Sequence, residues 1–178
     1  MSPFLTIKRK QHTIPMTPVK RKSVLLPFSK VKTMNVIINL RNKTCPLTVD
    51  YLDKKAAAQG TSIKYLVINP NRTPIPSCVL RRDMSVLNYE IDYNSAGEIL
   101  SDTAKSFIDD KCDLLLAVSN EYAQVVENIA SYSQAAFKIG RKFTKNNPYD
   151  LSLIFKQAEK DDELGYLFLS NLYILTKD

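Results

Sequence analysis

The sequence predicts an α/β fold of three layers, with a mostly parallel sheet of five or six strands flanked by helices. Three observations carry this prediction. From residue 33 onward, short branched apolar runs alternate with segments of helical period, as in β-α-β units. Two of the runs, 34–40 and 113–119, are apolar at nearly every position, the pattern of strands buried on both faces. The length, 178 residues with 44% hydrophobic and 24% charged, suits one domain with a single sizeable core. That domain is placed at 33–178, behind a basic, flexible, extended N-terminal arm at 1–32.

The elements follow in order. Met34-Asn35-Val36-Ile37-Ile38-Asn39-Leu40 makes the first strand. Pro46 suits the first turn of a helix, where its missing N–H is not needed; Val49, Leu52 and Ala56 then recur at helical spacing until Gly60 stops it, giving a helix over 46–59. Residues 63–68 form a second strand, and the Pro- and Asn-rich stretch 69–76 a surface loop. Residues 86–92 make a shorter third strand. Ser95-Ala96-Gly97-Glu98 reads as a capping box opening a helix that runs to Asp110 and buries Leu100, Ala104, Phe107 and Ile108. The strand at 113–119 leads into a helix marked by Val125, Val126, Ile129 and Tyr132. Two further strands, 136–140 and 150–155, flank a polar loop at 144–148. In a final helix over 160–176, Leu164, Leu167, Phe168, Leu172 and Leu175 make an apolar stripe that Tyr166, Leu169 and Tyr173 widen. Such width suits deep packing on the sheet, and a homodimer contact for whatever remains outside.

Charge is unevenly placed. The chain carries 25 Lys plus Arg against 18 Asp plus Glu, net +7, yet no acidic residue precedes Asp50. The clusters Lys8-Arg9-Lys10 and Lys20-Arg21-Lys22 lie among Pro3, Pro15 and Pro18, which forbid a continuous helix. The bland account of this arm is a solvated basic tail; the functional one is contact with a polyanion, either nucleic acid or an anionic membrane surface. No apolar run reaches the roughly 18 residues of a membrane span, and no signal-peptide pattern is present. The expected compartment is the cytoplasm, with the inner membrane surface as a peripheral alternative. Cys45, Cys78 and Cys112 are widely spaced and His12 stands alone, so buried reduced thiols are expected and no metal site.

Several chemistries are missing. The only glycines are Gly60, Gly97, Gly140 and Gly165, none in a G-x-G-x-x-G or P-loop setting, so no nucleotide cofactor is expected. One histidine, in the arm, leaves no Ser-His-Asp or Cys-His catalysis. The acidic pairs at 109–110 and 161–163 fall at helix ends, where negative charge has structural uses. No catalytic residues are assigned. A ligand site, if built, lies beyond the carboxyl ends of the strands where strand order reverses. Here that is between the first strand and the one ending at Ser119, with Arg41, Asn42 and Lys43 on one rim and Ser119, Asn120 and Glu121 on the other; Arg141, after Gly140, is a further candidate. The same residues also fit a pair of ordinary polar loops.

The second half of the chain resembles a family of small Bacteroidota proteins without assigned activity. In these a D-L-L-I-D-L-S strand precedes a helix ending in L-S-x-A-K-F-K-V-G-R and a Y-D-L-M-I strand. The matching positions are 113–119, 132–141 and 149–154, with Ala117-Val118 where the family tends to carry an aspartate. More distantly, the pattern is similar to the N-terminal domain of heptosyltransferase-like glycosyltransferases, whose sugar nucleotide sits mainly in a second domain. The first resemblance implies a Rossmann-like fold, and the second a domain that binds a sugar or nucleotide-sugar. The first expectation for function is a non-enzymatic binding or scaffolding domain, and the alternative is the glycosyltransferase-related one.

Overall fold

The computed structural model describes residues 17–18, 20–40, 46–75, 77, 83–154 and 161–176. Its elements are β1 (Thr33–Asn39), α1 (Pro46–Gln59), β2 (Ser62–Asn69), β3 (Met84–Asn88), α2 (Asp102–Asp109), β4 (Leu114–Val118), α3 (Gln124–Tyr132), β5 (Phe137–Arg141), β6 (Leu151–Leu153) and α4 (Asp161–Leu175), with a 3-10 turn at Phe28–Lys30 before β1. The strands form one six-stranded sheet in the order β3-β2-β1-β4-β5-β6, and every pairing is parallel. This is the Rossmann-like arrangement that the alternating pattern predicts. No described helix is long and apolar enough to cross a membrane.

Period-two alternation divides the core into two layers. Met34, Val36 and Ile38 of β1, Tyr65 and Val67 of β2, and Leu114, Leu116 and Val118 of β4 meet α1 and α4 on one face. Ile37, Leu66, Ile68, Leu115 and Ala117 meet α2 and α3 on the other. Because both faces are covered, the central strands bury nearly every side chain, which explains their apolar composition. At the amino ends, Asp113 Oδ2 accepts hydrogen bonds from Lys32 N (2.8 Å) and Thr33 N (2.9 Å), pinning β1 against β4. On the first face α1 and α4 approach closely: a Cβ on Gly165 would lie 2.9 Å from Thr48 Cγ2.

Three sequence expectations need correction. No helix starts at Ser95. Asn94 Oδ1 instead accepts from the N–H groups of Ala96 and Glu98 (both 3.0 Å), Gly97 takes φ +73°, and an antiparallel bridge joins Tyr93 to Ile99. The asparagine takes the donors a capping serine would have used, so α2 begins only at Asp102 and Leu100 is half-buried. The third strand lies earlier than 86–92, at Met84–Asn88, because Asn88 N donates to Asp92 Oδ2 and Glu90 turns at φ +62°. In α4 the apolar stripe is buried at Leu164, Phe168, Leu169 and Leu172, while Leu175 is exposed beyond the edge of the sheet layer.

Residues 20–32 are docked onto the domain. Val24 N donates to Ala136 O, Leu26 and Phe28 pack against the α1/α4 core, and Arg21 donates to Ala136 O (2.7 Å) and pairs with Asp150.

Candidate functional site

In the 3-2-1-4-5-6 order, chain crossovers leave β1 and β4 toward opposite faces of the sheet, so the loops after these strands part and open a crevice. A cleft of about 370 Å³ occupies this place on the α2/α3 side. Asn39 enters it from the end of β1, Ile68, Pro70 and Asn71 from the end of β2, Tyr89 and Tyr93 from beyond β3, and Tyr122, Gln124 and Val125 from the start of α3. No Lys, Arg, His, Asp or Glu is among its lining residues.

The wall beneath α3 is a closed hydrogen-bond relay. Tyr122 donates to Gln124 Oε1, Gln124 Nε2 to Asn128 Oδ1 (2.8 Å), and Asn128 Nδ2 to Gly97 O (2.9 Å), tying the 94–97 turn to the helix. Gly97 is needed there twice over. Its φ of +73° is left-handed, and a Cβ would stand 2.7 Å from Val125 N. The opposite rim is clasped by Arg72, which donates from Nε to Tyr89 O (2.9 Å) and pairs with Glu90 (2.7 Å). Both partners hold left-handed backbone, at φ +48° and +62°, the only non-glycine residues with positive φ among those described. Between these walls sits Tyr93, 5% exposed, its ring 5.7 Å from that of Tyr89. Its hydroxyl has no hydrogen-bond partner among the described residues. Burial, with the neighbouring Tyr89 and Asp92, pushes that hydroxyl up to about 12, so it stays protonated and able to donate.

Of the site residues expected from sequence, Ser119, Asn120 and Arg141 do converge at the carboxyl ends of β4 and β5, where they bind one another. Asn39 Nδ2 donates to Ser119 Oγ (3.1 Å), and Ser119 Oγ to Glu121 O (2.6 Å). Arg141 donates to Asn120 O (2.8 Å) and to Asn120 Oδ1, and lies over the Phe143 ring at 5.2 Å. The arrangement is a clamp that fixes the β4–α3 loop; Glu121 contributes its backbone while its side chain is exposed. Arg41, Asn42 and Lys43 lie outside the described residues, as do Lys8, Arg9 and Lys10. Lys20 and Lys22 are exposed, whereas Arg21 is held by Asp150 and Ala136 O.

Across β5, further polar groups are buried and paired. Tyr149 donates to Glu127 Oε1 (2.8 Å), and burial raises the Glu127 carboxyl against the lowering effect of that bond. Lys138, 2% exposed, donates from Nζ to Ala130 O (2.5 Å) and Ser131 O (3.4 Å), the terminal carbonyls of α3. Burial, then the nearby Arg21 charge, lowers its ammonium to about 8. Cys112 is buried and reduced, its thiol pushed up to about 12 by burial, which makes it unreactive. Cys45 and Cys78 lie outside the described residues. The acidic pair at 109–110 serves ion pairs, Asp109 with Lys105 and Asp110 with Lys64 (2.7 Å).

Sequence reasoning located the crevice and missed its lining. One signal was available: β1, β2 and β3 each end in asparagine, at Asn39, Asn69 and Asn88. Asn69 Nδ2 donates to Asn88 Oδ1 (3.1 Å) and Thr73 O (3.1 Å), so these amides set the strand ends from which the cleft opens.

A family model covers residues 6–164, a span that includes every strand and all of the cleft lining. The chain belongs to DUF6913, a family of unknown function. In this DUF6913 chain the matched span also takes in both basic clusters and ends within α4, at Leu164. No curated protein matches it.

Proposed function

We propose that this DUF6913 protein is a non-enzymatic binding domain whose ligand is a small uncharged molecule held in the cleft beyond the carboxyl ends of β1, β2 and β3. The observation that carries this reading is the coincidence of an uncharged, tyrosine- and amide-lined cleft with the strand-order reversal. The lining offers no acid–base couple, so it supports binding over turnover. A nucleotide-sugar, the ligand of the glycosyltransferase-related alternative, needs cations for its diphosphate; the described lining supplies none, and supports only the uncharged parts of such a molecule.

The test is thermal unfolding of the full chain with neutral metabolite panels, alongside Asn71→Trp, which fills the mouth of the cleft. A ligand at about one hundred times its Kd stabilises by about 2.7 kcal/mol. The expected result is a rise in Tm that Asn71→Trp abolishes; a rise unchanged in Asn71→Trp places binding elsewhere and overturns the proposal.

A second reading concerns the arm. Lys20 and Lys22 stand exposed on either side of the anchored Arg21, which supports a polyanion contact, with nucleic acid or the anionic inner membrane surface as partner and the cytoplasm as compartment. Affinity for mixed single-stranded RNA should fall with rising salt, with a log–log slope of about −0.7 per phosphate neutralised. Replacing Lys20 and Lys22 by serine should flatten that slope, and anionic vesicles provide the comparison. The exposed Tyr166, Tyr173 and Ile174 of α4 support the remaining partner reading, a homodimer, for which sedimentation of Tyr173→Asp is the check.

A further inference from the structure

We infer that the cleft accepts an uncharged nitrogen heterocycle of the nucleobase class, as the base or its nucleoside, presenting a carbonyl or ring-nitrogen acceptor to the Tyr93 hydroxyl. This rests on the cleft being a ligand site and specifies its occupant.

The argument starts from an unmet donor. Buried hydroxyls are normally paired, because desolvating one without a partner is unfavourable. Among the described residues two buried side chains leave a polar atom unpartnered, Asn35 and Tyr93. Asn35 lies at the amino end of β1, far along the strand from the cleft; Tyr93 lines the cleft. Its hydroxyl stays protonated across the physiological range, so what it lacks is an acceptor.

The rest of the lining narrows the class. Tyr89 and Tyr122, the latter 43% exposed, offer aromatic faces, and base–aromatic stacking needs no particular base. Amides at Asn39, Asn71, Asn94 and Gln124 surround the opening, and side-chain amides match the paired donor and acceptor edges of bases. A dinucleotide site would add an acidic side chain for ribose hydroxyls and a glycine-rich phosphate turn. The lining has no carboxylate, and β2 ends instead in Asn69, committed to Thr73 and Asn88. At about 370 Å³ the space suits one heterocycle or nucleoside and lies near the lower end of ligand pockets.

The experiment uses the full chain, with adenosine, guanosine, cytidine and uridine as probes and glucose, galactose and mannose as comparison, followed by amide NMR shifts and thermal unfolding. Tyr93→Phe removes only the hydroxyl, and Tyr122→Ala removes an exposed aromatic face. At least one nucleoside should shift resonances of the lining, and Tyr93→Phe should bind it about tenfold more weakly. Since the hydroxyl has no internal partner, ligand-free Tyr93→Phe should also melt about 2–4 °C higher than the parent, which separates lost binding from lost folding. Equal nucleoside affinity in Tyr93→Phe, or a lowered melting temperature of that variant, would overturn the inference. Shifts with the monosaccharides alone would overturn the heterocycle and keep the cleft; no shift with either panel would overturn both.

Discussion

The two sides of the β1–β4 boundary treat buried polar groups differently. On the β4–β5–β6 side each such group is paired within the protein: Arg141 with Asn120, Tyr149 with Glu127, Lys138 with the last carbonyls of α3, Arg21 with Asp150. On the β1–β2–β3 side the amides of the cleft wall form a closed relay, yet Tyr93 is left with an unused donor. Removing a partner from a satisfied network leaves an orphan and destabilises; removing an orphan relieves a standing penalty. The same kind of substitution therefore has opposite signs on the two sides, and the sign tells structural polarity from polarity kept for a ligand.

The strongest way to break the satisfied side is Gly140→Val. Any Cβ at Gly140 runs into the Tyr149 ring, so the ring must leave and take its bond to Glu127 with it. Urea denaturation should show a loss of about 4 kcal/mol. Next comes the pH dependence of Lys138. Its folded value of about 8 lies below the ordinary 10.5, so between these the unfolded state binds more protons and stability rises with pH. The gain from pH 8 to 10.5 has a ceiling of about 3 kcal/mol. In Lys138→Met this slope should vanish from denaturation curves taken across that range, whatever the variant's level at neutral pH. Smaller again is Arg21→Ala, which removes a pair whose side chains are 15% and 20% exposed, together with the bond to Ala136 O; about 1 kcal/mol is expected by chemical denaturation. Tyr93→Phe closes the series with a small effect of opposite sign, a gain of about 1 kcal/mol. A loss there would erase the contrast.

How much of this was legible follows from where each determinant lies. The bounds of α1, 46–59, were readable because Pro46 and Gly60, the latter at φ +65°, punctuate it locally. The inner strands were readable because burial on both faces leaves an apolar run. The start of α2 was misread because Asn94, one residue before the apparent capping serine, offers a competing local acceptor. The crevice followed from topology alone, but its lining gathers single residues from four separate segments, and no local pattern marks Tyr93 as the one left unpaired. Arg21 illustrates the same limit: beside Lys20 and Lys22 it reads as one more surface charge, because nothing nearby in sequence announces Asp150.

That last pair spans 129 residues. Long loops close late, since chain entropy opposes joining distant segments until intervening structure has shortened the path. The Arg21 bridge can form only once β5 is in place to present Ala136 and the chain has continued to Asp150. It is expected to close after the sheet has assembled, so residues 20–32 would report on completion of folding: protease cleavage near Arg21 should persist in a folding time course after protection of the β1–β4 core has been reached, and stop last.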